Sequence, residues 1–248
     1  LFVSGCPDRS VIGVDEFEGQ LLAQELSDHL HDDRIIRIST SRKLTDMGWT
    51  VFANKGFLSE YRKGKQVASI DLRKYSALPG AHNHQNACAA YAAARAIGIG
   101  PSVVEKAFFS FRGLPHRSQL VSEIDGIVFI NDSKATNIDS AIKALLTFPN
   151  IRWICGGKQK EGDFSRINKA LVNVQKAYVI GTDSKSYSNQ ISCDYEICKT
   201  MDVAVKSAFR DAKKGDTILL APAAASFDQF SSFEERGQAF EVEVNKLM

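Results

Sequence analysis

The sequence has little of what marks a membrane, secreted or nucleic-acid-binding protein. No apolar run approaches the roughly 18 residues that span a bilayer, and the first residues lack a basic flank followed by a long apolar stretch. There are five cysteines, Cys6, Cys88, Cys155, Cys193 and Cys198, with no CxxC pair and no Cys/His grouping at zinc spacing. An odd, scattered set reads as reduced thiols of a cytoplasmic protein. Charge of one sign is missing too: 31 basic against 29 acidic side chains leave +2, with no Lys/Arg-rich run, so composition gives nucleic-acid binding no support. GxxxxGK[ST] occurs nowhere in the sequence, G-x-G-x-x-G does not follow the first strand of the later α/β region, and no G-x-S-x-G elbow surrounds a serine. Internal repeats and low-complexity segments are absent. What is there, 44% hydrophobic and 24% charged residues in a chain of 248, suits a globular protein with ample core, in one large domain or two smaller ones.

Periodicity divides the chain. Residues 1–14 alternate short apolar pieces with Gly5, Pro7 and Asp8, and residues 18–30 carry Leu21, Leu22, Leu26 and Leu30 on one helical face. Residues 34–72 are β-like, with turns at Asn54-Lys55-Gly56 and Lys63-Gly64-Lys65 that predict an antiparallel meander. An Ala-rich helix is predicted over 86–97 and another over 102–109. Arg112-Gly113-Leu114-Pro115 then breaks the pattern, which places a domain boundary between 1–113 and 114–248. Beyond it, strands at 120–124, 126–130, 151–155, 176–180 and 217–220 alternate with helices at 140–146, 164–172, 184–191, 201–212 and 233–245. That order predicts a mainly parallel sheet with helices on both faces and an antiparallel hairpin at one edge, an α/β, Rossmann-like class.

The chemistry gathers at strand ends. Gly126 to Ile130 runs into Asn131-Asp132-Ser133-Lys134-Ala135-Thr136-Asn137 and then a helix, and in open α/β sheets such turns face ligands. Asp132, Lys134, Thr136 and Asn137 offer an acid, a base, a hydroxyl and an amide, which suit sugar hydroxyls, phosphates or carboxylates; the same groups would serve equally as helix caps. Gly156-Gly157-Lys158-Gln159-Lys160 permits close backbone approach and leaves Lys158 and Lys160 to pair with an anion. Arg117, just past the boundary, would stabilise charge on a transferring phosphoryl group or form a surface ion pair. The small residues from Ala221 to Ala225 admit a ligand near the backbone, with Ser226 as donor. Asn83 and Asn86 stand beside a predicted helix N-terminus, where they dock a polar ligand or merely cap.

Taken in order, Gly80-Ala81-His82-Asn83-His84-Gln85-Asn86, Gly113-Leu114-Pro115-His116-Arg117, the stretch 131–137, Gly156-Gly157-Lys158-Gln159-Lys160, and Ala225-Ser226-Phe227-Asp228-Gln229-Phe230 followed by Phe233-Glu234-Glu235-Arg236-Gly237 resemble the Mur ligases. The Asp132-Ser133-Lys134-Ala135-Thr136-Asn137 version resembles the D-glutamate-adding branch; Ala221 and Ala224 depart from the family's usual Ser and Cys. The resemblance implies ATP-dependent amide formation through an acyl phosphate, joining D-glutamate to UDP-N-acetylmuramoyl-L-alanine in peptidoglycan synthesis. It implies Asn83 and Asn86 at adenine and ribose, Asp132 at the ribose hydroxyls, and Arg117 and Lys134 as catalytic groups on the phosphates. Thr136, Lys160, Ser226 and Phe233 would hold D-glutamate. Residues 1–113 would be part of the central ATP-binding domain and 114–248 the C-terminal Rossmann-like domain that binds the amino acid. The P-loop, the Mg²⁺ ligands and the UDP-binding domain would lie upstream of Leu1, which opens in mid-pattern, so the expectation is a C-terminal portion inactive alone. Competing readings are a non-catalytic module that binds nucleotide or amino acid on this fold, a folate polyglutamylating ligase, and a free-standing nicotinamide-binding domain.

Overall fold

The computed structural model describes residues 8–29, 34–158 and 164–248. They form two compact units, 1–112 and 113–248, of mixed α/β structure.

The first unit is built on a five-stranded sheet in the order β1-β2-β3-β4-β5. Strands β1 (Ser10–Gly13), β2 (Ile35–Ser39) and β3 (Trp49–Asn54) pair in parallel, and β4 (Phe57–Arg62) and β5 (Lys65–Asp71) complete the expected meander. Alternation of side chains sends Ile36, Ile38, Trp49 and Val51 to one face, under α2 (Gly80–Ala96) and α3 (Pro101–Ser110). Ile12, Ile35 and Phe52 go to the other, under α1 (Phe17–His29). Fully buried Glu60 is held by Arg95 at 2.8 Å, Arg62 at 2.9 Å and the Tyr91 hydroxyl at 2.7 Å, the set of partners a buried carboxylate requires.

Helix α2 begins at Gly80, six residues before its expected start. The Ala run supplies propensity, but burial of Ala87, Cys88, Tyr91 and Ala92 fixes the axis, and the half-buried polar residues His82 to Gln85 ahead of them continue the helix.

The second unit carries a six-stranded sheet, β10-β9-β8-β11-β7-β6. All pairings are parallel except that of β6 (Gln119–Ile124) with β7 (Ile127–Asn131), the expected hairpin edge. Trp153 of β8 (Ile151–Gly156) and Leu219 of β11 (Thr217–Leu220) face α4 (Ile138–Leu145), α5 (Phe164–Asn168) and α6 (Ser184–Ser188). Their neighbours Ile154, Ile218 and Leu220 face α7 (Met201–Asp211) and α8 (Phe233–Asn245). Sequence periodicity misses β10 (Tyr195–Lys199), which pairs with β9 (Val174–Ile180): it is an edge strand with only Cys198 buried, so no alternation announces it. Among the described residues no helix is long and apolar enough to cross a membrane.

Candidate functional site

Strands β8, β11 and β7 are neighbours and parallel, so their carboxyl ends open on one edge of the second sheet. The three loops beyond them are tied together through the backbone. Ala223 N donates to Ala135 O at 2.9 Å, Gly156 N to Pro222 O at 2.9 Å, and Lys158 and Ala225 exchange both their N–H···O bonds at 2.9 and 3.0 Å. Stretches far apart in the sequence thus make one continuous rim. Glycine is required in it: Gly156 (φ +105°) and Gly157 (φ +130°) have left-handed backbones, and a Cβ would lie 2.2 Å from Ile180 O and 2.4 Å from Ala225 O respectively. Carbonyls at the turn are claimed by aromatic donors, Trp153 Nε1 to Ala221 O at 2.7 Å and the Tyr187 hydroxyl to Pro222 O at 3.1 Å.

On the β7 side, Asp132 N donates to Leu220 O at 2.8 Å and the side chain is buried. Burial pushes its carboxyl up to about 6, against a backbone hydrogen bond from Ser118 and the charge of Arg117. Arg117 is exposed, on the tight turn in which its N–H donates to Leu114 O at 3.2 Å. The Lys134 ammonium lies 3.9 Å above the ring of Phe233, the first residue of α8, so β7 and α8 meet at the rim. Thr136 is half-buried on the same loop. Asn137 is the N-cap of α4, its side-chain oxygen accepting from Ser140 N at 2.9 Å, so for this residue the capping reading holds. Ser226, only 2% exposed, follows the β11 loop, and its carbonyl accepts from Gln229 N and Phe230 N to turn the chain toward α8.

The structure therefore brings together Arg117, Asp132, Lys134, Thr136, Ser226 and Phe233 within one unit. Lys160 lies outside the described residues. Asn83 and Asn86 belong to the other unit and sit inside α2 rather than ahead of it. Asn83 Nδ2 donates to Pro79 O at 2.8 Å, Asn86 is exposed one turn on, and neither side chain caps the helix N–H groups. Among the described residues no three His, Cys, Asp or Glu side chains converge to hold a metal ion.

Three residues beneath the rim escape sequence reasoning. His116 is buried and shares a 3.0 Å contact with Asn131 Nδ2, while its carbonyl accepts from Lys134 N at 3.1 Å. Ser133 and Arg236 are both fully buried and bonded to each other. A signal for Arg236 exists: it lies four residues before Phe240 and eight before Val244, on the buried stripe of α8, where a charge is unexpected.

A family model described as "Mur ligase, glutamate ligase domain" matches residues 116–224. A protein of Ruegeria pomeroyi named UDP-N-acetylmuramoylalanine--D-glutamate ligase is 59% identical over 248 residues, which cover 100% of this chain and 53% of that protein. The chain thus spans about half the length of the curated relatives it matches. Among solved structures, UDP-N-acetylmuramate-alanine ligase MurC from Thermotoga maritima superposes with a TM-score of 0.61 at 15% identity, over 98% of this chain and 60% of its own. MurF ligase from Thermotoga maritima, in complex with ADP, gives 0.57 at 19% identity, over 98% and 63%. At such identities the likeness speaks for the fold.

Proposed function

We propose that the chain belongs to the Mur ligase family and forms the nucleotide- and amino-acid-holding portion of a ligase adding D-glutamate to UDP-N-acetylmuramoyl-L-alanine, a reading supported by the family match over residues 116–224 and the 59% identical relative. Work on a soluble nucleotide-linked precursor of peptidoglycan places it in the cytoplasm. The observation that carries the reading is the rim itself, where Asp132, Lys134 and Arg117 stand on one strand-end loop or beside it and Ser226 on the next.

The residues present suit a nucleotide. A buried carboxylate short of partners gains two donors from a ribose diol, and that gain offsets its burial. Lys134, held by the face of Phe233, and exposed Arg117 supply positive charge for phosphates. Bound ATP supplies the phosphoryl group that activates the substrate carboxylate as an acyl phosphate. Mg²⁺ is different: the described residues offer no set of ligands for it, and its partners are expected outside them. Asn83 and Asn86 serve the adenine and ribose; with one Nδ2 hydrogen on Pro79 O, Asn83 still has its second N–H and its Oδ1 to offer. Thr136, Ser226 and Phe233, with Lys160, hold D-glutamate; a hydroxyl and an ammonium suit its side-chain carboxylate, and the ring covers the aliphatic part.

The test is titration of the 248-residue chain, wild type and Lys160→Ala, with D-glutamate, L-glutamate and ADP by isothermal calorimetry. D-glutamate binding that falls at least about tenfold in the variant, the loss of one charge-assisted bond, supports the assignment. Equal affinity for both enantiomers, or none for either, would sink it. Nucleotide and D-glutamate binding without ATP-dependent ligation by the same chain selects the non-catalytic module.

A further inference from the structure

We infer that Arg236 is a positioning residue that couples the nucleotide half of the rim to the amino-acid half, an inference that rests on the reading above. Its guanidinium is 1% exposed and reaches two loops at once. Nε donates to Ser133 Oγ at 3.1 Å and Nη2 to Ser133 O at 2.9 Å, a two-pronged grip on one residue, while Nη1 donates to Ala224 O at 3.0 Å. Ser133 in turn donates its hydroxyl to Phe233 O at 2.7 Å, closing the network onto the first turn of α8.

The placement of those contacts matters. Ser133 stands between Asp132 and Lys134, the groups assigned to ribose and phosphate. Ala224 is two residues before Ser226, and Phe233 three before Arg236; both Ser226 and Phe233 are assigned to D-glutamate. One side chain therefore fixes all three segments. A hydrophobic residue of similar volume would fill the space but leave two carbonyls and a hydroxyl without donors, and a lysine carries the charge without the fork. Neutral oxygens of the rim loops take its hydrogen-bond donors, while the charge of Asp228 acts on it without a direct hydrogen bond. A stability element of α8 alone would have no need to reach both loops.

Arg236→Lys, Arg236→Met and Ser133→Ala in the 248-residue chain test this. Folding is followed by near-ultraviolet circular dichroism, with Trp153 as the reporter of the core, and affinities for ADP and for D-glutamate are measured separately by calorimetry well below each variant's melting temperature. The expected result is that both arginine variants lose about tenfold or more in affinity for each ligand, with Ser133→Ala losing less but in the same sense for both. Wild-type affinity for both ligands in a folded Arg236→Lys, or loss of one ligand only, overturns the coupling while the functional reading stands. Should the wild-type chain bind neither ligand, that reading fails and the inference falls with it. If the arginine variants do not fold, Ser133→Ala decides: unchanged affinities overturn the proposal, and a joint decrease supports it.

Discussion

Each sheet ends a parallel strand with an aspartate, and the two carboxylates meet opposite fates. Asp15, just beyond β1, accepts from Ser39 Oγ, from the N–H and hydroxyl of Thr40 and from the N–H and hydroxyl of Ser41. Burial alone would raise its pKa, but those bonds outweigh it and hold the carboxyl below the ordinary value. Asp132, just beyond β7, is buried more deeply with fewer donors and is pushed up to about 6. An acidic side chain at a strand end is thus no mark of a site by itself. A carboxylate that its own fold has satisfied is architecture; one left in deficit has bonding capacity for something that arrives.

The glycines repeat the contrast and give the largest expected effect. Gly156→Ala drives a Cβ into the backbone of β9 and strains a left-handed residue, so we expect a loss of about 3 kcal/mol or more. Gly98, after α2, has a similar positive φ but nothing within 4 Å, and Gly98→Ala should cost only about 1 kcal/mol. Urea denaturation of both variants settles it; equal costs would remove close packing as the distinction between the two regions.

Next in size, Asp15→Asn should destabilise the first unit by about 2 kcal/mol at neutral pH, since an amide cannot accept from all those donors. Its pKa is lowered by folding, so the stabilisation is present above the unfolded value and lost as pH falls through the folded one. The difference between wild type and variant must therefore shrink in acid. A thermal-melt difference that stays the same size all the way into acid contradicts this.

The smallest net change at pH 7 has the opposite sign. Asp132 has a raised pKa, so its contribution is full below the unfolded value near 4 and is lost as pH rises through about 6, a swing on the order of 3 kcal/mol. Asp132→Asn should flatten that slope and raise stability at pH 7 by about 1 kcal/mol, while weakening ADP. Melting curves at pH 4, 5, 6 and 7 measure it, and a variant less stable than wild type at pH 7 would show Asp132 to be satisfied after all.

Much of the fold is legible because apolar periodicity reports burial directly. The meander from β3 to β5, the β6–β7 hairpin and the alternation after it all announce themselves. Edge strand β10 does not, since little of it is buried, and the start of α2 is hidden because its first turns are polar in sequence and read as loop. The rim loops are legible as chemistry. Their union is not, because Ala135 to Ala223 and Lys158 to Ala225 are backbone bonds that leave no trace in residue type. Nor does composition separate exposed Arg117 from buried Arg236; only position on the apolar stripe of α8 does so.

The strand order also bears on how the chain comes into being. β11 is the last strand made, yet it lies between β7 and β8, pairing with both. Until Thr217–Leu220 emerges during synthesis, those two strands have no partner to join them and the rim is two fragments. A frameshift or a stop before Thr217 accordingly removes the centre of the second sheet rather than trimming its end, and exposes the edges of β7 and β8 that β11 covers, in addition to the sheet's outer edges at β10 and β6.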